Sequence, residues 1–241
     1  MQIIMRYLSE KNLKRFEIDF KNLIKIVNNS EGELDIAIRE NYLNIYYKGN
    51  SLAKISFNKL DKYKVEIHKK FFEGTNADNP NFWDEKTKSD NYISLTLSLV
   101  KPPLCFLQKK HIDQFCSKIK QVNYGEEIVF EQALITDNLE RNNLIIIDRQ
   151  ITDKKLKRKR MDLLALKQIE SNTYSFLVVE VKLGNNPELK GAVGKQLTDY
   201  MTHIQRHFND YKSCYERQFE QKRKMGLINI PTAKSIEIKK P

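Results

Sequence analysis

The segment Ser175-Phe-Leu-Val-Val-Glu-Val-Lys182 decides the fold, because it joins an apolar run to two charged residues at its end. Residues 176–181 are apolar except for Glu180, and a short apolar run between polar residues predicts a buried central strand. Side chains two residues apart on a strand point to the same face, so Glu180 and Lys182 converge on one point. Two charges in this place predict a site for a ligand.

Polar residues on either side of this strand extend the predicted site. Upstream, residues 161–166 predict a neighbouring strand with Asp162 at its start, which supplies a second carboxylate. Downstream, Gln196 and Tyr200 are four residues apart on a predicted helix and share one face. Two carboxylates can hold a hard cation such as Mg²⁺ or Mn²⁺, and a lysine beside them can orient or deprotonate an attacking water. The pattern favours metal-dependent hydrolysis of a phosphate ester.

These residues carry a resemblance to a known family. Asp162, Glu180 and Lys182 resemble the signature of the PD-(D/E)XK nuclease superfamily, although Met161 stands where the family name has proline. The segment Gln196-Leu-Thr-Asp-Tyr200 resembles the Gln-x-x-x-Tyr helix motif of the RecB-type branch. The resemblance covers the second half of the chain and implies a restriction-endonuclease-like fold and cleavage of DNA.

The resemblance also implies a role for each matching residue. Glu131, on a predicted helix over residues 126–139, matches the acidic residue that many members carry before the core strands. The metal ligands are then three carboxylates, those of Asp162, Glu180 and Glu131. Lys182 is the residue that acts on water, and Gln196 and Tyr200 complete the catalytic set. Many relatives work as dimers, so a homodimer is one expected assembly.

The first half of the chain predicts a separate module. Leu13, Phe16 and Phe20 begin an amphipathic pattern over residues 9–27, with Ser9 as the N-cap. Residues 34–38, 42–47 and 52–57 predict a β-meander, which residues 63–67 and 92–99 extend. The aromatic residues of these strands favour structural packing over a stacking platform for bases, and His68 and His111 are interpreted as surface histidines.

Together these patterns predict an α/β protein of two parts. Residues 1–123 form an α+β module, and residues 124–241 form a restriction-endonuclease-like core of mixed sheet flanked by helices. The core begins with the helix over 126–139 and a strand over 144–148, which ends at a weaker acidic candidate, Asp148. After a turn at residues 184–188, an apolar stripe predicts one long helix or two consecutive ones up to about residue 224.

The charge balance favours a polyanionic partner. The 241 residues include 42 Lys and Arg against 31 Asp and Glu, a formal net charge of +11. Six of the seven residues in Lys154-Lys-Leu-Lys-Arg-Lys-Arg160 are basic, and this basic segment leads directly to Asp162. It is either a solvated loop or, as we prefer, a surface for phosphates beside the scissile bond. The predicted DNA-binding residues are Lys157, Arg158, Lys159 and Arg160.

The sequence therefore predicts a Mg²⁺- or Mn²⁺-dependent deoxyribonuclease acting in defence against foreign DNA or in repair, with RNA as an alternative substrate. Two other classes stay open: a catalytically inactive nucleic-acid-binding module of the same fold, and a protein-interaction module. Cys105, Cys116 and Cys214 match no zinc or iron–sulfur spacing. With neither a signal peptide nor a membrane span predicted, we expect a cytoplasmic protein.

Overall fold

Two β-sheets organise the chain, each within its own unit of the sequence. The computed structural model describes residues 2–58, 62–98, 101, 103–121, 126–139, 141, 143–156, 159–228 and 235–240. The N-terminal unit is Tyr7–Tyr124, and the C-terminal unit combines Met1–Arg6 with Gly125–Pro241. The first six residues thus belong with the second half of the chain, whereas the sequence had assigned them to the first module.

The N-terminal unit is an antiparallel sheet with helices. Its six strands have the order β1-β2-β3-β4-β6-β5. The strands are β1 Leu34–Ile38, β2 Tyr42–Tyr47, β3 Asn50–Phe57, β4 Tyr63–His68, β5 Glu85–Lys88 and β6 Tyr92–Leu97. The helices are α1 Glu10–Asp19, α2 Lys21–Asn28, α3 Lys69–Phe72 and α4 Lys109–Lys120. The predicted meander and both of its extensions are confirmed, while β5 had no sequence prediction.

The predicted first helix is divided at Phe20. Ser9 caps α1 as expected, because its hydroxyl accepts a hydrogen bond from the Asn12 N–H at 3.3 Å. Phe20 leaves the helical region of backbone space, with φ −112° and ψ 22°, and α2 begins at the next residue. Phe16 and Phe20 are both buried and stack with ring centroids 5.0 Å apart, so the apolar face continues across the break.

One histidine prediction is wrong. His111 in α4 has no exposed surface, and its ring packs against Phe82 and Phe106. Within the described residues, neither ring nitrogen has a hydrogen-bond partner. Burial, with the charge of Lys110, lowers the pKa of His111 to about 4. The lysines next to His111 in the sequence suggested a surface position. The contacts with Phe82 and Phe106 that bury its ring could not be predicted from those neighbours.

The C-terminal unit is a four-stranded mixed sheet of order β10-β9-β8-β7, with β10 parallel to β9 and the other pairs antiparallel. The strands are β7 Leu144–Ile151, β8 Met161–Glu170, β9 Thr173–Val179 and β10 Glu237–Ile238, and the helices are α5 Glu126–Asp137, α6 Ala192–Arg206 and α7 Phe208–Lys224. The long apolar stripe of the sequence is two consecutive helices, divided at His207.

Helices cover both faces of this sheet. Ile135 of α5 packs with Leu163 and Val181 on one face. On the other face, Phe176 of β9 meets three aromatic rings of α7, with centroids 5.8 to 6.2 Å away. The chain is therefore an α/β protein, as predicted. In the described part of the chain, no helix is long and apolar enough to cross a membrane.

The first residues of the chain are anchored within the C-terminal unit. The Arg6 guanidinium donates to Asp148 at 3.0 Å and to the Gln150 carbonyl at 3.0 Å. The Arg6 carbonyl accepts from Gln218 at 2.8 Å, and its N–H contacts the Cys214 sulfur at 3.1 Å. Asp148 is therefore half of a buried ion pair, which explains the acid that the sequence had marked as a weak candidate ligand.

Candidate active site

Adjacent strands bring Asp162 and Glu180 together. Leu163 of β8 lies opposite Val179 of β9, so Asp162 and Glu180 are the next residues outward on the two strands. The Asp162 carboxylate also accepts a hydrogen bond from the Val181 N–H at 3.0 Å. The two side-chain carboxyls lie within hydrogen-bonding reach, and burial together with the Asp162 charge raises the pKa of Glu180. The predicted carboxylate pair is thus present.

The Glu180 carboxylate has an oxygen available for a ligand. Its Oε1 accepts hydrogen bonds from Lys182 Nζ at 3.1 Å and from Gln196 Nε2 at 2.8 Å. The side chain is only 2% exposed, and its Oε2 is buried without a hydrogen-bond donor among the described residues. A buried carboxylate oxygen beside a second carboxylate is unfavourable unless a proton or a cation joins them. An oxygen-lined position of this kind fits a hard divalent cation.

Lys182 forms a buried ion pair rather than a surface one. Its side chain is 13% exposed, and Nζ lies 3.1 Å from Glu180 and 3.6 Å from Glu188. Burial alone would lower the pKa of Lys182, but the hydrogen bond and charge of Glu180 outweigh it and raise the pKa. Lys182 is therefore an ammonium group at neutral pH. Between the two roles that the sequence left open, this form suits orienting a water better than deprotonating one.

Gln196 and Tyr200 join the carboxylate to the basic segment. Gln196 Nε2 donates to Glu180 and also lies 2.9 Å from the Tyr200 hydroxyl. The Tyr200 side chain is buried, and its hydroxyl donates to the Arg160 carbonyl at 2.7 Å. Gln196 and Tyr200 thus share one face of α6, as predicted. Gln196 binds Glu180, and Tyr200 binds the end of the basic segment.

Glu131 is placed differently from the other two acids. Both of its carboxylate oxygens accept from Gln150 Nε2, at 2.7 and 2.8 Å, and one also pairs with Arg149 at 3.2 Å. Burial raises the pKa of Glu131, and the charge of Asp162 adds to the increase. Across the described residues, no group of three or more acids, histidines or cysteines is arranged to hold a metal ion. The structure therefore brings two of the three predicted ligands together, because Arg149 and Gln150 engage the third.

A cleft of about 660 Å³ opens over the carboxylate pair. Lys159 and Arg160 line it, and Lys159 Nζ lies 2.9 Å from Asp199. Lys157 and Arg158, also predicted to bind DNA, lie outside the described residues. Further lining residues that the sequence analysis missed are Thr152, Ala192, Lys195 and Asp199. Three of these follow the i, i+3, i+7 spacing of α6 from Ala192, a signal that the helix pattern could have supplied.

Comparisons of the chain with protein-family models, with curated proteins and with solved structures find no match. The cleft combines two adjoining carboxylates, the largely buried ammonium group of Lys182, and cations on two different elements, the basic segment and α6.

Proposed function

We propose that the protein is a divalent-metal-dependent nuclease that hydrolyses phosphodiester bonds in DNA, in line with its resemblance to the PD-(D/E)XK superfamily. The observation that carries the proposal is the adjoining Asp162–Glu180 pair, in which the Glu180 side chain is buried and its Oε2 atom lacks a donor among the described residues. Such a pair suits a cation that itself binds an anionic substrate. Phosphate esters are substrates of this type.

The proposal assigns a role to each carboxylate and to the polar residues beside them. Asp162 and Glu180 would hold Mg²⁺ or Mn²⁺, and the bound ion would stabilise charge on the phosphoryl oxygens. Lys182 donates hydrogen bonds as an ammonium group and can orient the attacking water. Gln196 holds Glu180 Oε1, and Oε2, which has no donor among the described residues, would bind the cation. Glu131 acts through its negative charge close to Asp162.

Cations in the same cleft support a nucleic acid as the substrate. Lys159, Arg160 and Lys195 line the cleft around the carboxylate pair. Basic side chains that contact backbone phosphates supply most of the affinity for nucleic acids, whatever the base sequence. The chain also carries a formal net charge of +11. Its three free cysteines suit a reducing compartment, so the proposal places the activity in the cytoplasm, in defence against foreign DNA or in repair.

One observation favours a second candidate, a nucleic-acid-binding module without turnover. Glu131 is bound to Arg149 and Gln150, so two of the three predicted carboxylate ligands, Asp162 and Glu180, adjoin in the cleft. A site with two protein carboxylates binds a cation less strongly than one with three. Under this alternative, the cleft would bind DNA but would not cleave it.

Cleavage and binding assays separate the two candidates. Purified protein is incubated with linear duplex, circular and single-stranded DNA and with RNA, in Mg²⁺, Mn²⁺ or EDTA. We expect cleavage of DNA with Mg²⁺ or Mn²⁺, and none with EDTA or in Asp162→Asn, which keeps the shape of the side chain. Binding without cleavage in every condition would favour the binding module. If the protein neither binds nor cleaves any of these nucleic acids, both candidates are refuted.

A further inference from the structure

The basic segment begins at a buried acid that holds the turn of its own backbone. Asp153 has a fully buried side chain, and its Oδ1 accepts hydrogen bonds from the backbone N–H groups of Lys155 at 2.7 Å and Leu156 at 2.8 Å. The Leu156 side chain is buried. The start of the segment therefore has a fixed conformation, although most of its residues are charged.

Two consecutive helices hold the other oxygen of the same carboxylate. Asp153 Oδ2 lies 2.6 Å from His203 Nε2 of α6 and accepts from the Tyr211 hydroxyl of α7 at 2.7 Å. Burial alone would raise the pKa of Asp153, but the bonds from Tyr211 and His203 outweigh it and lower the pKa. An ionised carboxylate only accepts hydrogen bonds, so Nε2 of His203 carries the proton.

The far end of the basic segment is held by the same helix. Tyr200 donates to the Arg160 carbonyl at 2.7 Å, and Asp199 pairs with Lys159 at 2.9 Å. Gln196, Tyr200 and His203 are spaced by four and three residues and therefore lie on one face of α6. This single face contacts Glu180, the end of the basic segment and its start. The cations and the carboxylate pair are thus fixed relative to one helix.

We propose that Asp153, His203 and Tyr211 form a clamp that positions the basic segment, so that Lys159 and Arg160 meet the backbone phosphates of nucleic acid bound in the cleft. The proposal rests on the proposed function for its phosphate ligand. None of the three clamp residues lines the cleft. They are positioning residues, which act on the substrate only through the segment that they hold.

The test compares three variants of the full chain. His203→Leu removes the hydrogen bond to Asp153, whereas His203→Gln retains an N–H donor at a similar distance from the backbone. Ile204→Val is the matched control, because Ile204 is buried on the same helix and its aliphatic side chain cannot hydrogen-bond to Asp153. Thermal melting of each variant identifies any loss of folding.

The first measurement needs no nucleic acid. Trypsin cleaves after Lys and Arg, so the rate of cleavage within residues 154–160 reports how often the segment opens. Loss of a hydrogen bond to a charged group favours local opening, and we expect His203→Leu to be cleaved about tenfold faster than wild type. His203→Gln and Ile204→Val should stay close to wild type. An unchanged rate in His203→Leu would overturn the clamp, even in a protein that cleaves DNA.

The second measurement is binding of an oligonucleotide across a range of salt concentrations. With the segment released, His203→Leu should bind more weakly and with a flatter slope of log affinity against log salt, and His203→Gln should restore both. Faster tryptic cleavage with unchanged affinity and slope would overturn the positioning role. If wild type binds no nucleic acid, the proposed function fails together with that role, while the tryptic rates still decide whether the clamp exists.

Discussion

Glu180 has the least favourable environment of the residues in the cleft. Its carboxylate is buried, its Oε2 has no donor among the described residues, and Asp162 adjoins it. If the two positions contributed only to stability, an amide in place of one acid would be more favourable, because its N–H would supply the missing donor. A bound cation would supply the same compensation, as the proposed function requires.

The first prediction separates the lysine from the acid that it contacts. Lys182→Met removes the ammonium group that orients the attacking water, and we expect cleavage to slow by about 10²–10⁴, the range typical of losing a positioned acid–base side chain. Metal-dependent DNA binding should persist, because both carboxylates remain. Glu180→Gln should lose cleavage and the metal dependence together. Single-turnover cleavage and DNA binding with and without Mg²⁺ measure the two effects, and equal cleavage by wild type and Lys182→Met would refute the role of Lys182.

The second prediction concerns His111 and pH. The pKa of this residue is about 4 in the folded protein, against an ordinary value of 6.5, so the unfolded chain takes up a proton first as pH falls. The resulting loss of stability develops between about pH 6.5 and pH 4 and amounts to at most about 3 kcal/mol. His111→Phe should remove this component, since a phenyl ring suits the contacts with Phe82 and Phe106 and does not titrate.

Thermal melts of wild type and His111→Phe at pH 7 and pH 4.5 test this expectation. The difference between the two proteins should be small at pH 7 and should favour the variant at pH 4.5. A difference that does not change with pH would mean that the pKa of His111 is the same in the folded and the unfolded protein. Other titrating groups cancel in the comparison, because both proteins contain them.

At the scale of elements, α6 contacts both Glu180 and the basic segment. The contribution of the basic segment to DNA binding can be tested directly. Replacing Lys159 and Arg160 together by alanine should weaken DNA binding and flatten the slope of log affinity against log salt by about 0.9 for each lost phosphate contact with duplex DNA. The exposed pair Lys159–Asp199 contributes little to stability, so folding should be unaffected. Salt titrations of binding measure the slope.

A matched control uses two cations elsewhere in the same unit. Lys167 and Lys224 are exposed, and neither lines the cleft. The double variant Lys167→Ala and Lys224→Ala loses the same net charge, so its slope should stay close to that of wild type. Equal flattening in both double variants would indicate a general charge effect rather than phosphate contacts in the cleft.

The strands of the site were predictable because each has a local pattern. The apolar runs of β8 and β9 locate Asp162 and Glu180 without knowledge of the fold. The clamp was not predictable, because Asp153 and His203 are 50 residues apart in the sequence. A single Asp or His belongs to no repeating pattern of residues that would indicate its partner. The helix break at Phe20 also lacks a local signal, since neither Pro nor Gly marks it. Likewise, β10 has two residues and depends on its parallel pairing with β9.

On the scale of the whole molecule, the chain leaves the C-terminal unit after residue 6 and returns to it at residue 125. We predict that residues 7–124 fold alone, because this unit has its own six-stranded sheet and its own buried core. Circular dichroism and a cooperative melt of the isolated fragment provide the test. A fragment that stays unfolded would show that the unit depends on the remainder of the chain.

The C-terminal unit, in contrast, should depend on the first six residues. Arg6→Met leaves the buried Asp148 carboxylate without its cation, which typically costs about 3–5 kcal/mol. The Tyr215 hydroxyl, 3.1 Å from Asp148, compensates only in part. We expect the melting transition of the C-terminal unit to shift downward while that of residues 7–124 stays in place. A common shift of both transitions would contradict this division.

The same arrangement has a consequence for synthesis on the ribosome. The Arg6 segment emerges long before its partners Asp148, Cys214 and Gln218, which lie 142 to 212 residues further along the chain. At a rate of about 5–20 residues per second, the start of the chain waits for roughly 10 seconds or more before Gln218 emerges. The N-terminal unit can complete its sheet during this interval. The contacts that join Arg6 to the C-terminal unit are consequently among the last of that unit to form.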